Sequence, residues 1–92
     1  KYDAALAALV ALEPVAPNEP LAEAIGFQRG MCERLSGKTS EAQQTLLAVV
    51  TKYPQGEYAD DALHFATELA IEADDLAAAE DRLKRFTAEY PR

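Results

Sequence analysis

The sequence has few of the residues from which enzyme and metal sites are usually built. Among its 92 residues there is one cysteine, Cys32, and one histidine, His64. One cysteine excludes a disulfide within the chain, and one histidine leaves no second imidazole for a closed zinc site. A chain of this length folds as one domain and buries only about 60–65% of the surface of its unfolded form. We therefore expect a single domain without a deep active site.

Basic residues and long apolar runs are also scarce. Nine lysines and arginines stand against sixteen acidic residues, for a formal net charge of −7. Phosphate binding needs a clustered basic face, so we expect no nucleic-acid partner. No apolar run approaches the roughly 18 residues of a membrane span, and KYDAALAALVAL lacks the n-region and cleavage site of a signal peptide. Because the chain begins with Lys1, we expect a fragment or a processed chain.

What the chain does contain is an internal repeat. Prolines recur at positions 17, 54 and 91, two successive gaps of 37 residues, and tyrosines precede the last two. Three more sets of equivalent positions, which we call columns, recur with this period. An alanine stands twelve residues before each proline, a leucine eight before, and an apolar residue five before. Their members are Ala5, Ala42 and Ala79; Leu9, Leu46 and Leu83; and Leu12, Val49 and Phe86. Such spacing predicts one face of a helix that ends at the proline.

The first helix of each repeat carries start and stop signals. Asn18 is suited to the N-cap, Pro20 lies in the first turn, and Gly37 is suited to the left-handed residue after the helix. One period later, Asp74 stands where Gly37 stood.

The second helix has a weaker start signal. We expect Thr39 or Ser40 to cap it, with Gln43 completing a capping box. No stretch alternates with period two, so no strand is expected. The sequence predicts five helices, at about 2–13, 19–36, 40–53, 57–73 and 75–90.

This pattern resembles the tetratricopeptide repeat, in which helix hairpins place a small residue of the first helix against a small residue of the second. Here the pairs are Gly30 with Ala42 and Thr67 with Ala79. The resemblance implies an all-α fold of antiparallel hairpins stacked in a right-handed superhelix. It implies one domain over residues 1–92, made of an incomplete repeat and two complete ones, at 1–17, 18–54 and 55–91.

The period of 37, rather than the usual 34, is similar to that of the bacterial cell-envelope branch, found in periplasmic coordinators and outer-membrane-assembly lipoproteins. That branch carries Tyr-Pro-x-Ser-x-Tyr-Ala where this chain has YPQGEYA, so Gly56 replaces the usual serine cap. The resemblance favours the periplasm or cell envelope, with the cytoplasm as the alternative. Arg29 and Glu33 stand where the family usually has apolar residues, and the sequence does not show what they face.

The segment DDALHF invites a site interpretation. On a helix, His64 lies near Asp60, Asp61 and Glu68, which is compatible with a weak metal site or an acid-base role. The alternative, which we favour, is an acidic first turn that complements the helix dipole. Cys32 with His64 as a nucleophile pair competes with Cys32 as a small packing residue. We predict no catalytic residue, no metal ligand and no cofactor.

Two other groups also have two interpretations each. The tyrosines form either a ligand belt or packing contacts at the helix ends, the second being favoured. The basic segment RLKR either touches an acidic partner or is a cation-rich late helix, and the second is again favoured. The tyrosines are Tyr2, Tyr53, Tyr58 and Tyr90, and the basic residues of RLKR are Arg82, Lys84 and Arg85.

Stacked hairpins form a concave surface lined by their first helices. The side chains expected there, which we call the concave stripe, are Ala24, Phe27, Met31 and Arg34 on one helix and Asp61, His64, Glu68 and Ile71 on the next. One half is apolar and the other acidic, which suits a peptide or helix with apolar anchors and some positive charge. Phe27 and Met31 could instead belong to the core. We predict a non-catalytic protein-interaction scaffold within a larger bacterial protein. The alternative is a structural spacer or oligomerisation segment without a groove ligand, which could form homo-oligomers through its incomplete ends.

Overall fold

The computed structural model describes residues 2–16 and 18–90. Its helices are α1 (Tyr2–Leu12), a 3-10 turn (Glu13–Val15), α2 (Glu19–Leu35), α3 (Thr39–Lys52), α4 (Ala59–Glu72) and α5 (Leu76–Glu89). These described residues form no strand, and each predicted helix boundary lies within two residues of the observed one. The all-α prediction is therefore confirmed. The proline at 54 follows the end of α3, whereas those at 17 and 91 lie outside the described residues.

The helices form a linear stack. Each helix packs mainly on the helices before and after it in the sequence, and only short turns connect α2 with α3 and α4 with α5. This is the arrangement of helical repeats, in which each hairpin buries its apolar face against its neighbours. Within the described part of the chain, no helix is long and apolar enough to cross a bilayer.

Local signals set both ends of α2 and the C-terminal end of α4. Asn18 Oδ1 accepts a hydrogen bond from the Leu21 N–H at 2.9 Å, as expected of an N-cap. Gly37 has φ 79° and Asp74 has φ 60°, so the left-handed residue recurs one period later. Aspartate tolerates this conformation better than most residues do, which explains the replacement.

The predicted capping box at the start of α3 is wrong. The N-cap of α3 is Lys38, and no side chain caps this helix. The turn is too tight for a separate capping segment, because the Lys38 N–H donates to the Glu33 carbonyl at 2.8 Å while α3 already begins at Thr39. Ser40 is thus inside the helix. The repeat-equivalent start of α5 does have a cap, since Asp75 Oδ1 accepts from the Ala78 N–H at 3.1 Å.

The core lies between α2, α3 and α4. Gly30 lets α2 and α3 pack closely, because a Cβ there would lie 2.6 Å from Leu46 Cδ2. The small residues predicted at contact positions on the second helices, Ala42 and Ala79, are both buried. The side chain nearest to Gly30 on α3 is that of Leu46. The buried apolar cluster consists of Phe27, Ala42, Leu46, Val49, Val50, Ala62, Leu63, Ala66 and Leu69.

Helix α1 differs from the others in burying none of its residues. It packs on α2, yet Val10 and Leu12 remain 46% and 52% exposed.

Candidate functional site

A buried carboxylate joins the two hairpins. Glu23 of α2 is only 3% exposed, and its Oε2 and Oε1 accept hydrogen bonds from the N–H groups of Tyr58 (2.7 Å) and Glu57 (3.2 Å). These N–H groups lie at the start of α4, whose N-cap residue has no capping side chain of its own. A Cβ at Gly56 would overlap the Glu23 carboxylate. Gly56 therefore leaves room for a cap supplied by the preceding hairpin.

Side chains of the concave stripe connect α2 with α4. Arg34 Nη2 lies 3.9 Å from Glu68 Oε1, and the Arg34 guanidinium carbon lies 5.2 Å from the centre of the Phe65 ring. Glu68 Oε2 is also 2.7 Å from His64 Nε2 on its own helix. One carboxylate thus contacts a cation from the preceding hairpin and an imidazole that is more than half exposed.

Phe27 is not displayed on this surface. It is 8% exposed, its ring stacks on Tyr58 at 4.9 Å between centroids, and it contacts Phe65 at 6.1 Å. Of the other predicted residues, Ala24, Met31, Arg34 and Glu68 are half-buried, whereas Asp61, His64 and Ile71 are exposed. The accessible part of the stripe is therefore its acidic half on α4, with Ile71 as the exposed apolar residue.

The burial of Phe27 shows which way the stripe faces. On α2 its residues contact α4, the first helix of the next repeat. On α4 the repeat-equivalent residues are His64, Glu68 and Ile71, and no helix that follows them among the described residues covers His64 and Ile71 in the same way. These three residues line a cavity of about 170 Å³ together with Thr67, Leu83 and Phe86. Sequence reasoning did not place Leu83 and Phe86 at a site, although both belong to columns of the repeat.

The DDALHF segment forms an acidic first turn. Asp60 is buried, and its Oδ1 accepts from the Asp61 N–H at 2.9 Å. No group of three or more potential ligand side chains converges on a metal position among the residues that the structure describes. Cys32 is a half-buried free thiol on α2.

The basic residues of α5 contact groups of the same chain. Arg82 Nη1 donates to Gln43 Oε1 on α3 and to the Ala66 carbonyl on α4, at 2.9 Å for the second bond. Lys84 pairs with Glu80, and Arg85 with Glu89, each one turn apart along the helix. Arg82 therefore ties three helices together.

Arg29 and Glu33 face the turn that follows α1. Arg29 Nη1 lies 3.6 Å from Glu13 Oε1, and Arg29 Nε lies 3.7 Å from Glu33 Oε2. Glu33 is buried. The residues that depart from the apolar pattern thus form a charged contact between α2 and the segment after α1.

The family comparison agrees with this geometry. Residues 23–56 match the tetratricopeptide repeat, a segment that contains most of α2, all of α3 and the turn before Glu57. The match indicates one tetratricopeptide repeat over residues 23–56, and the described residues form an all-α stack of tetratricopeptide-like helices. Repeats of this family generally mediate protein–protein interaction and are generally non-catalytic. No curated protein and no solved structure gives a significant match.

Proposed function

We propose that the protein is a non-catalytic interaction scaffold that binds a peptide or helix along the concave stripe. The observation that carries this proposal is the junction of Arg34, His64 and Glu68, where polar side chains of two stacked hairpins meet at the surface. A ligand lying across this junction would contact both repeats at once. Within this proposal the complete repeats are 18–54 and 55–91.

The chemistry of the accessible half indicates the kind of ligand. Asp61 and Glu68 provide negative charge, Ile71 provides an apolar contact, and the chain as a whole carries a net charge of −7. A peptide with one or two apolar anchors and basic flanks is complementary to this surface. The stacked rings of Phe27 and Tyr58 pack between α2 and the start of α4, and in this proposal they do not contact the ligand.

We also propose a setting in the bacterial cell envelope. The period of 37 residues and the Tyr-Pro and Tyr-Ala pairs of YPQGEYA support this part of the proposal.

The test is selection of basic peptides from a displayed library, followed by binding kinetics on the selected sequences. We expect the double variant Asp61→Lys, Glu68→Lys to slow association and to weaken its dependence on salt, because exposed charges steer a ligand more than they hold it. Ile71→Ala should mainly accelerate dissociation. The matched control is Asp3→Lys, Glu72→Lys, the same charge change at exposed positions outside the stripe. Equal kinetics for all variants would exclude the stripe as the binding surface.

A structural spacer is the second candidate, and exposed apolar side chains at both ends of the stack support it. Val10, Leu12 and Val15 are exposed at one end, and Leu76 and Leu83 at the other. Sedimentation over a dilution series separates the two candidates. A dimer that dissociates on dilution and binds no selected peptide favours the spacer, whereas a monomer that binds peptides favours the scaffold.

A further inference from the structure

The guanidinium group of Arg34 reaches from α2 onto α4. Its central carbon lies 5.2 Å from the centre of the Phe65 ring, and its Nη2 atom lies 3.9 Å from Glu68 Oε1. The other carboxylate oxygen of Glu68 lies 2.7 Å from His64 Nε2 on the same helix. A ring face beside a carboxylate is a favourable place for a guanidinium group, which is planar and positively charged. We call this place the guanidinium subsite, defined by His64, Phe65 and Glu68.

Arg34 fills the guanidinium subsite with incomplete hydrogen bonding. Its contact with Glu68 is an ion pair that is longer than a hydrogen bond. Its Nε atom is buried and has no hydrogen-bond partner among the residues that the structure describes. Arg34 lies in the last turn of α2, so the backbone of that helix limits how closely its side chain can approach α4. An arginine from outside the chain does not have this restriction and can move close enough to form the missing hydrogen bonds with Glu68.

We infer that the guanidinium subsite binds an arginine side chain of the ligand, and that this arginine displaces Arg34. The inference rests on the proposed scaffold function and names a residue of its ligand. Arginine fits better than lysine, because its planar group lies flat on a ring and donates two parallel hydrogen bonds to one carboxylate. Arg34 exposes 27% of its side chain and can turn towards solvent when it is displaced. In the absence of ligand it competes for the subsite and therefore lowers the affinity.

The charges of α4 favour a second cation at this place. The helix contains no lysine or arginine. Asp61, one turn before Phe65, is exposed, and its carboxylate forms no ion pair within residues 2–16 and 18–90. A cation that enters the subsite is therefore attracted by Asp61 as well as by Glu68. Arg34 can neutralise only one of these two carboxylates.

The probe is N-acetyl-arginine amide, which presents the side chain without a peptide around it. Its dissociation constant for the intact protein is measured by NMR titration, followed on the ring protons of His64 and Phe65. Arg34→Met removes the competing cation and keeps an unbranched apolar side chain. We expect this variant to bind the probe about three times more tightly than wild type or better, because an exposed ion pair and a cation–π contact together correspond to a change of this size. Arg34→Gln should behave in the same way, and adding Glu68→Gln to Arg34→Met should abolish the gain.

Two controls make the result specific. Arg85→Met on α5 makes the same change in net charge at another arginine that pairs with a glutamate, and should leave the affinity for the probe unchanged. N-acetyl-lysine amide carries the same charge as the probe and should gain less from Arg34→Met, because its ammonium group is not planar. Arg34 and Arg85 are both partly exposed, so both variants are expected to keep their helical circular dichroism spectra.

Three results would overturn the inference: no binding of the probe to Arg34→Met, equal or weaker binding than to wild type, or an equal gain for the lysine compound. Library peptides that respond to Asp61→Lys, Glu68→Lys but bind wild type and Arg34→Met equally would keep the scaffold proposal while this inference fails. Binding of the probe as expected, with no library peptide binding to either protein, would keep the subsite while the scaffold proposal fails.

Discussion

Replacing Glu23 with alanine removes the carboxylate that caps α4 from the preceding hairpin. The Glu57 and Tyr58 N–H groups then lose their acceptors at the start of the helix. A hydrogen bond to a charged group contributes about 1.5–3 kcal/mol, and loss of an N-cap costs about 0.5–2 kcal/mol. Water can reach part of the vacated site, so we expect a loss of about 2 kcal/mol in the free energy of unfolding. At about 4–8 °C per kcal/mol for a domain of this size, the melting temperature should fall by about 8–16 °C.

A sharper test is whether a second substitution, Gly56→Ser, lowers or raises the free energy of unfolding in each background. In the wild-type protein the added Cβ overlaps the Glu23 carboxylate, so this variant should lose about 1–3 kcal/mol. In the Glu23→Ala background the space is empty, and the serine hydroxyl can cap α4 itself, so the same change should restore about 0.5–2 kcal/mol.

All four proteins of this cycle are compared by urea denaturation followed by circular dichroism. Gln28→Ala, at an exposed position of the same helix α2, serves as the control and should change stability by less than about 0.5 kcal/mol. If Gly56→Ser destabilises both backgrounds equally, the two positions are not coupled and Glu23 is not the group that excludes serine.

Three further outcomes are expected. Gly30→Ala should cost about 1–3 kcal/mol, because its Cβ would lie 2.6 Å from Leu46 Cδ2; an unchanged urea midpoint would contradict this contact. Burial, and then the charge of Glu89, raises the pKa of Tyr90 in the folded protein above its ordinary value of 10.0. The stability that the neutral Tyr90 side chain contributes is therefore complete below pH 10.0, the value of the unfolded chain, and is lost as the pH rises through the pKa of the folded protein. Tyr90→Phe should therefore reduce the alkaline loss of melting temperature, and an identical pH profile would refute this. Zinc should bind no tighter than about 0.1 mM by calorimetry, because one imidazole among flexible carboxylates makes no closed site; micromolar affinity that disappears in His64→Ala would restore the metal interpretation.

The helices were predictable because their signals are local. Asn18 caps α2 through a residue three positions away, and Gly37 and Asp74 need only their own backbone conformation. The capping box at Ser40 was also a local signal, yet the tight turn from Glu33 to Lys38 overrode it.

The contacts between hairpins were not predictable in the same way. Glu23 meets N–H groups 34 and 35 positions later in the sequence, and nothing near Glu23 indicates that the stack will bring them together. Phe27 was expected on the concave stripe because one apolar face of a helix can serve either a ligand or the next hairpin. The observed stacking with Tyr58 assigns it to the next hairpin.

The capping of α4 by Glu23 also bears on how the chain unfolds. Repeat arrays are often described as rows of units, each with its own intrinsic stability and an added term for every interface. Here the carboxylate that caps α4 belongs to α2 of the preceding hairpin. We therefore expect the cooperative unit of unfolding to differ from the sequence repeat. Opening of α2 should expose the Glu57 and Tyr58 amides to hydrogen exchange together with its own, even while α5 remains packed on α4.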